Sequence, residues 1–132
     1  MKVILDCNVL IAAALKDGIC RAVVFYAIQH SNLFLSESII LEYLLVARRK
    51  KFERYQYFLE KLIILFSDVA TMIEPKDFII KLPDPSDVKY INLALHTNAQ
   101  YLITGNKKDF PENTYGITQI ISPRDFRALI LF

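Results

Sequence analysis

The architecture of this chain follows from its segment KVILDCNVLI, residues 2–11. A short apolar run from Lys2 to Leu5 ends at Asp6, and a second apolar stretch from Val9 to Leu15 precedes a Lys-Asp-Gly turn. This pattern predicts a buried strand and then a short helix. A buried strand followed directly by a helix is typical of parallel sheets whose two faces are both covered.

The rest of the chain repeats this alternation of strands and helices. Apolar periodicity and helix-start residues predict helices over residues 19–28, 37–50 and 52–66, after the N-cap candidate Ser86, and from Pro123. Short apolar runs predict strands over residues 33–35, 69–73, 101–103 and 119–121, with a polar loop over 105–115. We therefore predict one α/β domain over residues 1–132, with a mostly parallel sheet of four or five strands joined by right-handed crossovers.

Composition and charge exclude several classes of protein. The chain has 132 residues, 54% hydrophobic and 23% charged, which fits one folded domain and not a disordered protein. Sixteen Lys and Arg against fourteen Asp and Glu give a net charge of +2, too small for overall charge alone to indicate nucleic-acid binding. Cys7 and Cys20 lack the spacing of a redox pair or a zinc site, so we expect reduced thiols. Because no apolar run approaches about eighteen residues, we expect a cytoplasmic protein without membrane contact.

Acidic residues lie beside the predicted strands, where an open α/β sheet binds its ligands. Asp6 ends the first strand, Asp84 and Asp87 open a helix, and Asn106 and Asp109 follow the fourth strand. Converging carboxylates without a well-placed His or Cys suit a hard cation such as Mg2+ or Mn2+, and such a site suits phosphodiester hydrolysis. Each acid taken singly also has an ordinary structural explanation, as a turn former or a helix-dipole residue.

Glu42 is the most informative acid, since it is the only charged residue between Ile39 and Ala47. Burying an unpaired carboxylate is costly, so Glu42 belongs to a polar site or to an ion pair with Arg48 or another base. Ser38 lies four residues earlier on the same helix face, and we expect both side chains to share one pocket.

Several segments resemble the motifs of PIN domains in order and spacing. They are VILDCNVL at 3–10, Ser38 to Glu42, Asp84 to Asp87 with Leu93 and Ala94, YLITGNKKDF at 101–110 and IISPRDF at 120–126. The last resembles the ending of prokaryotic PIN proteins classed as toxin components of type II toxin-antitoxin systems. The resemblance covers nearly the whole chain. It implies a three-layer α/β/α sandwich and a metal-dependent, single-strand-specific endoribonuclease, often a homodimer, whose site an antitoxin protein blocks.

The same resemblance assigns residues to the site. Asp6, Glu42 and Asp87 would be catalytic metal ligands. The family's fourth acid usually stands where this chain has Asn106, and Asp109 lies three residues further on, so either side chain could complete the site. An amide oxygen carries no charge, so we expect one firmly held ion and weaker binding of a second. Supporting roles are expected for Asn8, Ser38, Asp84 and Thr104.

Basic residues cluster after the Glu42 helix. Five of the sixteen lie within residues 48–54, namely Arg48, Arg49, Lys50, Lys51 and Arg54, and Lys107 and Lys108 form a second pair. They either bind RNA phosphates or provide the cations that favour a helix C-terminus. Nearby aromatics more often fill a core or a subunit contact than stack on bases, and these are Phe52, Tyr55, Tyr57 and Phe58.

Two alternatives to the nuclease remain open. The first is a PIN-like module that binds RNA or an antitoxin but no longer cleaves, because the fourth acid is Asn106. The second is a phosphotransfer domain with Asp6 as nucleophile. It leaves Glu42 without a role, and dehalogenase-like enzymes carry a second Asp where this chain has Asn8.

Overall fold

The computed structural model describes residues 1–131. Within them the strands are β1 (Lys2–Leu5), β2 (Asn32–Leu35), β3 (Thr71–Met72), β4 (Tyr101–Ile103), β5 (Thr114–Tyr115) and β6 (Thr118–Ile121). The helices are α1 (Cys7–Leu15), α2 (Ile19–His30), α3 (Glu37–Ala47), α4 (Gln56–Val69), α5 (Val88–Thr97) and α6 (Pro123–Ile130). Short 3-10 helices span Lys50–Tyr55, Pro85–Asp87 and Lys107–Asp109.

The strands form a single sheet in the order β3-β2-β1-β4-β6-β5. Pairing is parallel throughout except between β5 and β6, so the predicted mostly parallel sheet is confirmed. The described part of the chain has six strands where four or five were predicted, and β5 lies inside the predicted polar loop. Its two residues are too short to show a periodicity, and Gly116, at φ 58°, provides the tight turn into β6.

Central strand β1 shows that helices cover both faces of the sheet. Its successive residues Val3, Ile4 and Leu5 are all 0% exposed. Because successive side chains of a strand point to opposite faces, this burial requires packing on both sides. The predicted three-layer α/β/α sandwich is therefore confirmed.

Several helix boundaries differ from the prediction. The third helix ends at Ala47 instead of residue 50, and a 3-10 helix over Lys50–Tyr55 precedes α4 where one continuous helix was expected. Ser86 is not the N-cap before α5. Instead the Asp84 carboxylate accepts a hydrogen bond from the Ser86 N–H at 2.9 Å.

The polar edge of the sheet is fixed by hydrogen bonds at the end of β1. The Asp6 N–H donates to the Ile103 carbonyl at 2.9 Å, which sets the end of β1 beside the end of β4. Buried Tyr43 of α3 donates its hydroxyl proton to the Leu5 carbonyl, so α3 is tied to the same point. Cys7 and Cys20 are free thiols, as predicted. Within residues 1–131, no helix has the length and apolarity needed to cross a membrane.

Candidate active site

Asp6 is the most buried acid of the site, with 5% of its surface exposed. It stands at the N-cap position of α1, yet its side chain makes no capping hydrogen bond there. Its Oδ2 accepts instead from Thr104 Oγ1 at 2.8 Å and from Asn8 Nδ2 at 3.2 Å. The carboxylate is thereby held at the sheet edge by residues that follow β4 and begin α1.

Asn8 connects the two sides of this edge. Besides donating to Asp6, its Oδ1 accepts from the Gly105 N–H at 3.0 Å. A Cβ at position 105 would lie 3.2 Å from that Oδ1, so glycine permits the close approach of the loop after β4. Thr104 Oγ1 also accepts from the Asn106 N–H at 3.1 Å.

Glu42 reaches the site from α3 and is held by two side chains of α5. Lys89 Nζ donates to Glu42 Oε2 at 2.9 Å, and Tyr90 donates its hydroxyl proton to Glu42 Oε1. The Tyr90 hydroxyl in turn accepts from the Cys7 N–H at 3.2 Å. The base that pairs with Glu42 is therefore Lys89 and not Arg48.

One cavity of about 380 Å³ brings these elements together. The acids that line it are Asp6, Glu42, Asp87 and Asp109. Asn8, Arg49 and Lys51 line it as well, so part of the basic segment faces the acids. The site combines the carboxylate that follows β1, one from the middle of α3 and two from 3-10 helices with the cations of Arg49 and Lys51.

The carboxylates raise one another's proton affinity. Burial raises the pKa of Asp6, the Thr104 hydrogen bond partly opposes this rise, and the charge of Glu42 adds to it. Burial also raises the pKa of Asp87 to about 6, with contributions from the charges of Asp6 and Asp109. A bound cation would relieve the mutual repulsion that adds to the effect of burial at these two carboxyls.

Other proposed site residues lie away from this cavity. Ser38 Oγ lies 3.2 Å from Ser36 Oγ, and Ser38 lines a different cavity. The prediction that Ser38 and Glu42 share one pocket was therefore wrong. Asp84 is exposed and caps the 3-10 helix before α5. Its carboxylate accepts hydrogen bonds from Ser86, and these lower the pKa of the Asp84 carboxyl. Thr104 does not line the cavity either, but it is buried and bonded to Asp6. The other predicted residues outside the cavity lining are exposed, and they are Arg48, Lys50, Asn106 and Lys107.

Sequence reasoning missed two residues of the site, Lys89 and Tyr90. Both follow Asp87 within one helical turn, and this position was their only sequence signal. A tyrosine on an apolar helix face looks like a core residue, and only the structure shows its hydroxyl between Glu42 and α1.

The donor chemistry of the cavity fits a divalent metal ion. All its candidate ligands are oxygens, which Mg2+ and Mn2+ prefer. Within residues 1–131, no three His, Cys, Asp or Glu side chains form a metal-holding group as they are oriented. Lys89 and Tyr90 engage both carboxylate oxygens of Glu42, so Glu42 must adjust to bind an ion. The bonds from Thr104 and Asn8 both end on Oδ2 of Asp6 and can persist when its other oxygen binds an ion.

Comparison with known proteins gives a family and a fold. A family model described as PIN domain matches residues 2–108. No curated protein sequence matches the chain. A solved structure described as VapBC2 from Rickettsia felis, bound to a DNA fragment from their promoter, shares 17% sequence identity at a TM-score of 0.63. The alignment covers 92% of this chain and 98% of the other, so the fold is shared along nearly its whole length.

Proposed function

Because the chain belongs to the PIN domain family, we propose that it is a metal-dependent endoribonuclease that hydrolyses phosphodiester bonds of single-stranded RNA. PIN domains are generally nucleases and generally use divalent metal ions. The observation that carries the proposal is the meeting of Asp6, Glu42, Asp87 and Asp109 in one cavity at the ends of the parallel strands.

Mg2+ or Mn2+ is the proposed cofactor. Asp6 and Asp87 would hold it, with Asp109 and Glu42 as the further carboxylate ligands. When bound, the ion would activate a water molecule and offset the negative charge that develops on the phosphate. No protein nucleophile is required.

The chain's own residues have distinct parts in this proposal. Asn8 and Thr104 orient the Asp6 carboxylate through their hydrogen bonds. Arg49 and Lys51 line the same cavity and would bind RNA phosphates, since a local cationic patch lets a nearly neutral protein hold a polyanion. The exposed Arg48, Lys50 and Lys107 would extend that patch outside the cavity.

In the proposed site the fourth carboxylate comes from Asp109, and the amide of Asn106 does not take its place. Asp109 lines the cavity and its charge raises the pKa of Asp6 and Asp87. Asn106 is exposed and lies outside the cavity lining. This placement supports a catalytic protein over the alternative module that binds RNA or an antitoxin without cleaving, because a fourth carboxylate is present.

The decisive experiment is cleavage of end-labelled single-stranded RNA by purified protein with Mg2+ or Mn2+. An EDTA sample and the Asp6→Asn variant run in parallel, and the variant also controls for contaminating nuclease. Metal-dependent cleavage that disappears in Asp6→Asn supports the proposal. No cleavage by the wild-type protein, together with no heat of metal binding, supports the binding module instead.

We further propose that the chain is the toxin of a toxin-antitoxin pair, with the antitoxin protein as partner. The solved structure with the same fold is described as VapBC2 bound to promoter DNA, which supports this role. Induced expression in a bacterial host should stop growth, and Asp6→Asn should not. Co-expression of a small DNA-binding protein encoded just upstream should restore growth.

A homodimer is also proposed. Exposed apolar side chains on neighbouring helices α3 and α4 support it, including Leu45 at 69% and Ile64 at 56% exposure. Isolated apolar residues are common on surfaces, whereas apolar patches indicate an interface. Light scattering after size-exclusion chromatography should give about twice the 15.3 kDa chain mass.

A further inference from the structure

The carboxylate cavity has an apolar wall that the proposed hydrolysis does not use. Ile11, Leu15, Val46 and Phe52 belong to this wall, together with Ala12. We propose that the wall is a seat for one unpaired nucleobase beside the phosphate to be cleaved, with Phe52 as the ring on which the base stacks. This inference rests on the proposed function, because it concerns the substrate of the same cavity.

Phe52 is distinguished from the other aromatic residues of its segment. It is half-buried, packs against the hydrophobic core and also lines the cavity. The neighbouring aromatics Tyr55, Tyr57 and Phe58 are exposed and are not among the residues that line this cavity. A ring fixed by core packing loses little conformational entropy when a base stacks on it, which favours binding.

Cations lie directly beside this ring. Lys51 Nζ lies over the Phe52 ring, 5.0 Å from its centre, so a stacking base takes the place of this ammonium, which then pairs with the adjoining phosphate. Arg49 stands at the N-cap of the same 3-10 helix. Both cations line the cavity. The cavity thus pairs an apolar, partly aromatic surface with positive charge, and a nucleotide presents the matching pair, a flat base and an anionic phosphate. An apolar side chain of a protein partner would match the wall but not the cations.

The dimensions favour an unpaired base. A volume of about 380 Å³ lies in the range of pockets that enclose one small molecule. In double-stranded RNA the base faces are stacked within the helix, whereas unpaired bases can turn out and stack on aromatic side chains. A seat of this kind therefore favours a single-stranded substrate over a double-stranded one.

The test is RNA binding measured without cleavage. Fluorescence anisotropy follows a labelled eight-nucleotide single-stranded RNA titrated with wild-type, Phe52→Ala, Phe52→Trp or Tyr57→Ala protein in EDTA at low salt. We expect Phe52→Ala to weaken binding by about 5- to 100-fold, the range for loss of one base stack. Phe52→Trp should retain affinity, and the exposed control Tyr57→Ala should match wild type. Circular dichroism confirms that each variant is folded.

An abasic substitution identifies the group that Phe52 contacts. Removing one base at the right position of the RNA should weaken wild-type binding by the same factor as Phe52→Ala and should add no further loss in that variant. Equal RNA affinity of wild type and Phe52→Ala, including no binding by either, would overturn the proposal. Loss of antitoxin binding without loss of RNA binding would also overturn it, and would assign the wall to a protein partner.

Metal-dependent cleavage of the same RNA separates this inference from the proposed function. If the wild-type protein cleaves the RNA and Phe52→Ala binds it with unchanged affinity, the base seat is excluded and the proposed nuclease activity is supported. If RNA binding depends on Phe52 but the wild-type protein does not cleave the RNA, the base seat is supported and the proposed nuclease activity is excluded.

Discussion

Lys89 Nζ lies 2.9 Å from Glu42 Oε2, and their side chains are only 18% and 24% exposed, respectively. The Lys89 ammonium also donates to the Ser86 carbonyl, so α5 and the turn before it hold the cation in place. Glu42 is the acid of the cavity with a protein cation as direct partner, whereas Asp6 is held by neutral donors. Lys89 therefore reduces the negative charge that the cavity offers to a metal ion.

Replacing this cation tests that conclusion. Lys89→Met leaves the partly buried Glu42 without its counter-charge, and we expect a loss of about 1–2 kcal/mol in unfolding free energy without metal. The same change removes a charge that repels an incoming cation. Affinity for Mg2+ should therefore rise by about tenfold, measured by isothermal titration calorimetry.

Lys108→Met is the matched control, because Lys108 is an exposed lysine near the site that does not line its cavity. It should leave both stability and Mg2+ affinity unchanged. Unaltered or weaker Mg2+ binding by Lys89→Met would contradict the role of Lys89 as a counter-charge.

Asp109 should matter more for metal binding than Asn106. Asp109→Asn removes a carboxylate from the cavity, and we expect Mg2+ and Mn2+ affinity to fall by about tenfold or more. Asn106→Asp adds a carboxylate outside the cavity lining and should change affinity by less than about threefold. Calorimetry on both variants measures the difference. A large gain of affinity and cleavage in Asn106→Asp would instead identify position 106 as the missing acid.

Asp87 should give the metal-free protein an unusual dependence of stability on pH. Its folded-state pKa is about 6, above the ordinary value of about 3.9, so the folded state binds its proton before the unfolded state does. Between these two values stability rises as pH falls, and above pH 6 the stabilisation is fully lost. We expect the melting temperature in EDTA to increase from pH 7 to pH 5 more for wild type than for Asp87→Asn. Parallel curves for the two proteins would exclude Asp87 as the source.

Metal binding should depend on pH in the opposite sense. A protonated Asp87 cannot ligate a cation, so Mg2+ affinity should fall as pH drops below about 6. In Asp87→Asn the affinity should be weaker at every pH and nearly constant over this interval. Calorimetric titrations at pH 5, 6 and 7 in matched ionic strength test both statements.

Tyr43 ties α3 to the end of β1, so its hydroxyl should stabilise the fold. In Tyr43→Phe the buried Leu5 carbonyl loses its donor, and we expect unfolding free energy to fall by about 1–2 kcal/mol. Urea denaturation measures the change. Tyr57→Phe removes the same atom at a position that is 76% exposed and should stay within about 0.5 kcal/mol of wild type. Equal effects of the two substitutions would contradict the hydrogen bond's contribution.

The sequence by itself determined the sheet and the chain segments that reach the site. Continuous apolar runs such as Val3 to Leu5 belong to strands buried on both faces, and the helical periodicity between them requires parallel crossovers. The acids after these strands were predictable because parallel strands bring their carboxyl ends to one edge. Strand β3 was predicted, although over the longer run 69–73, whereas β5 was missed because it lay within a predicted loop.

Only the tertiary structure decided which side chains meet within that edge. Ser38 and Glu42 share a helix face by spacing, yet they line different cavities. Ser38 lies in the first turn of α3 beside β3, whereas Glu42 lies one turn further on and contacts α5. Asp109 lies in the cavity and Asn106 outside it because the 3-10 helix at Lys107–Asp109 sets their directions. Lys89 is 47 residues from Glu42 along the chain, and such a contact depends on the relative placement of two helices. Local sequence patterns carry periodicity, whereas long-range partners follow from packing alone.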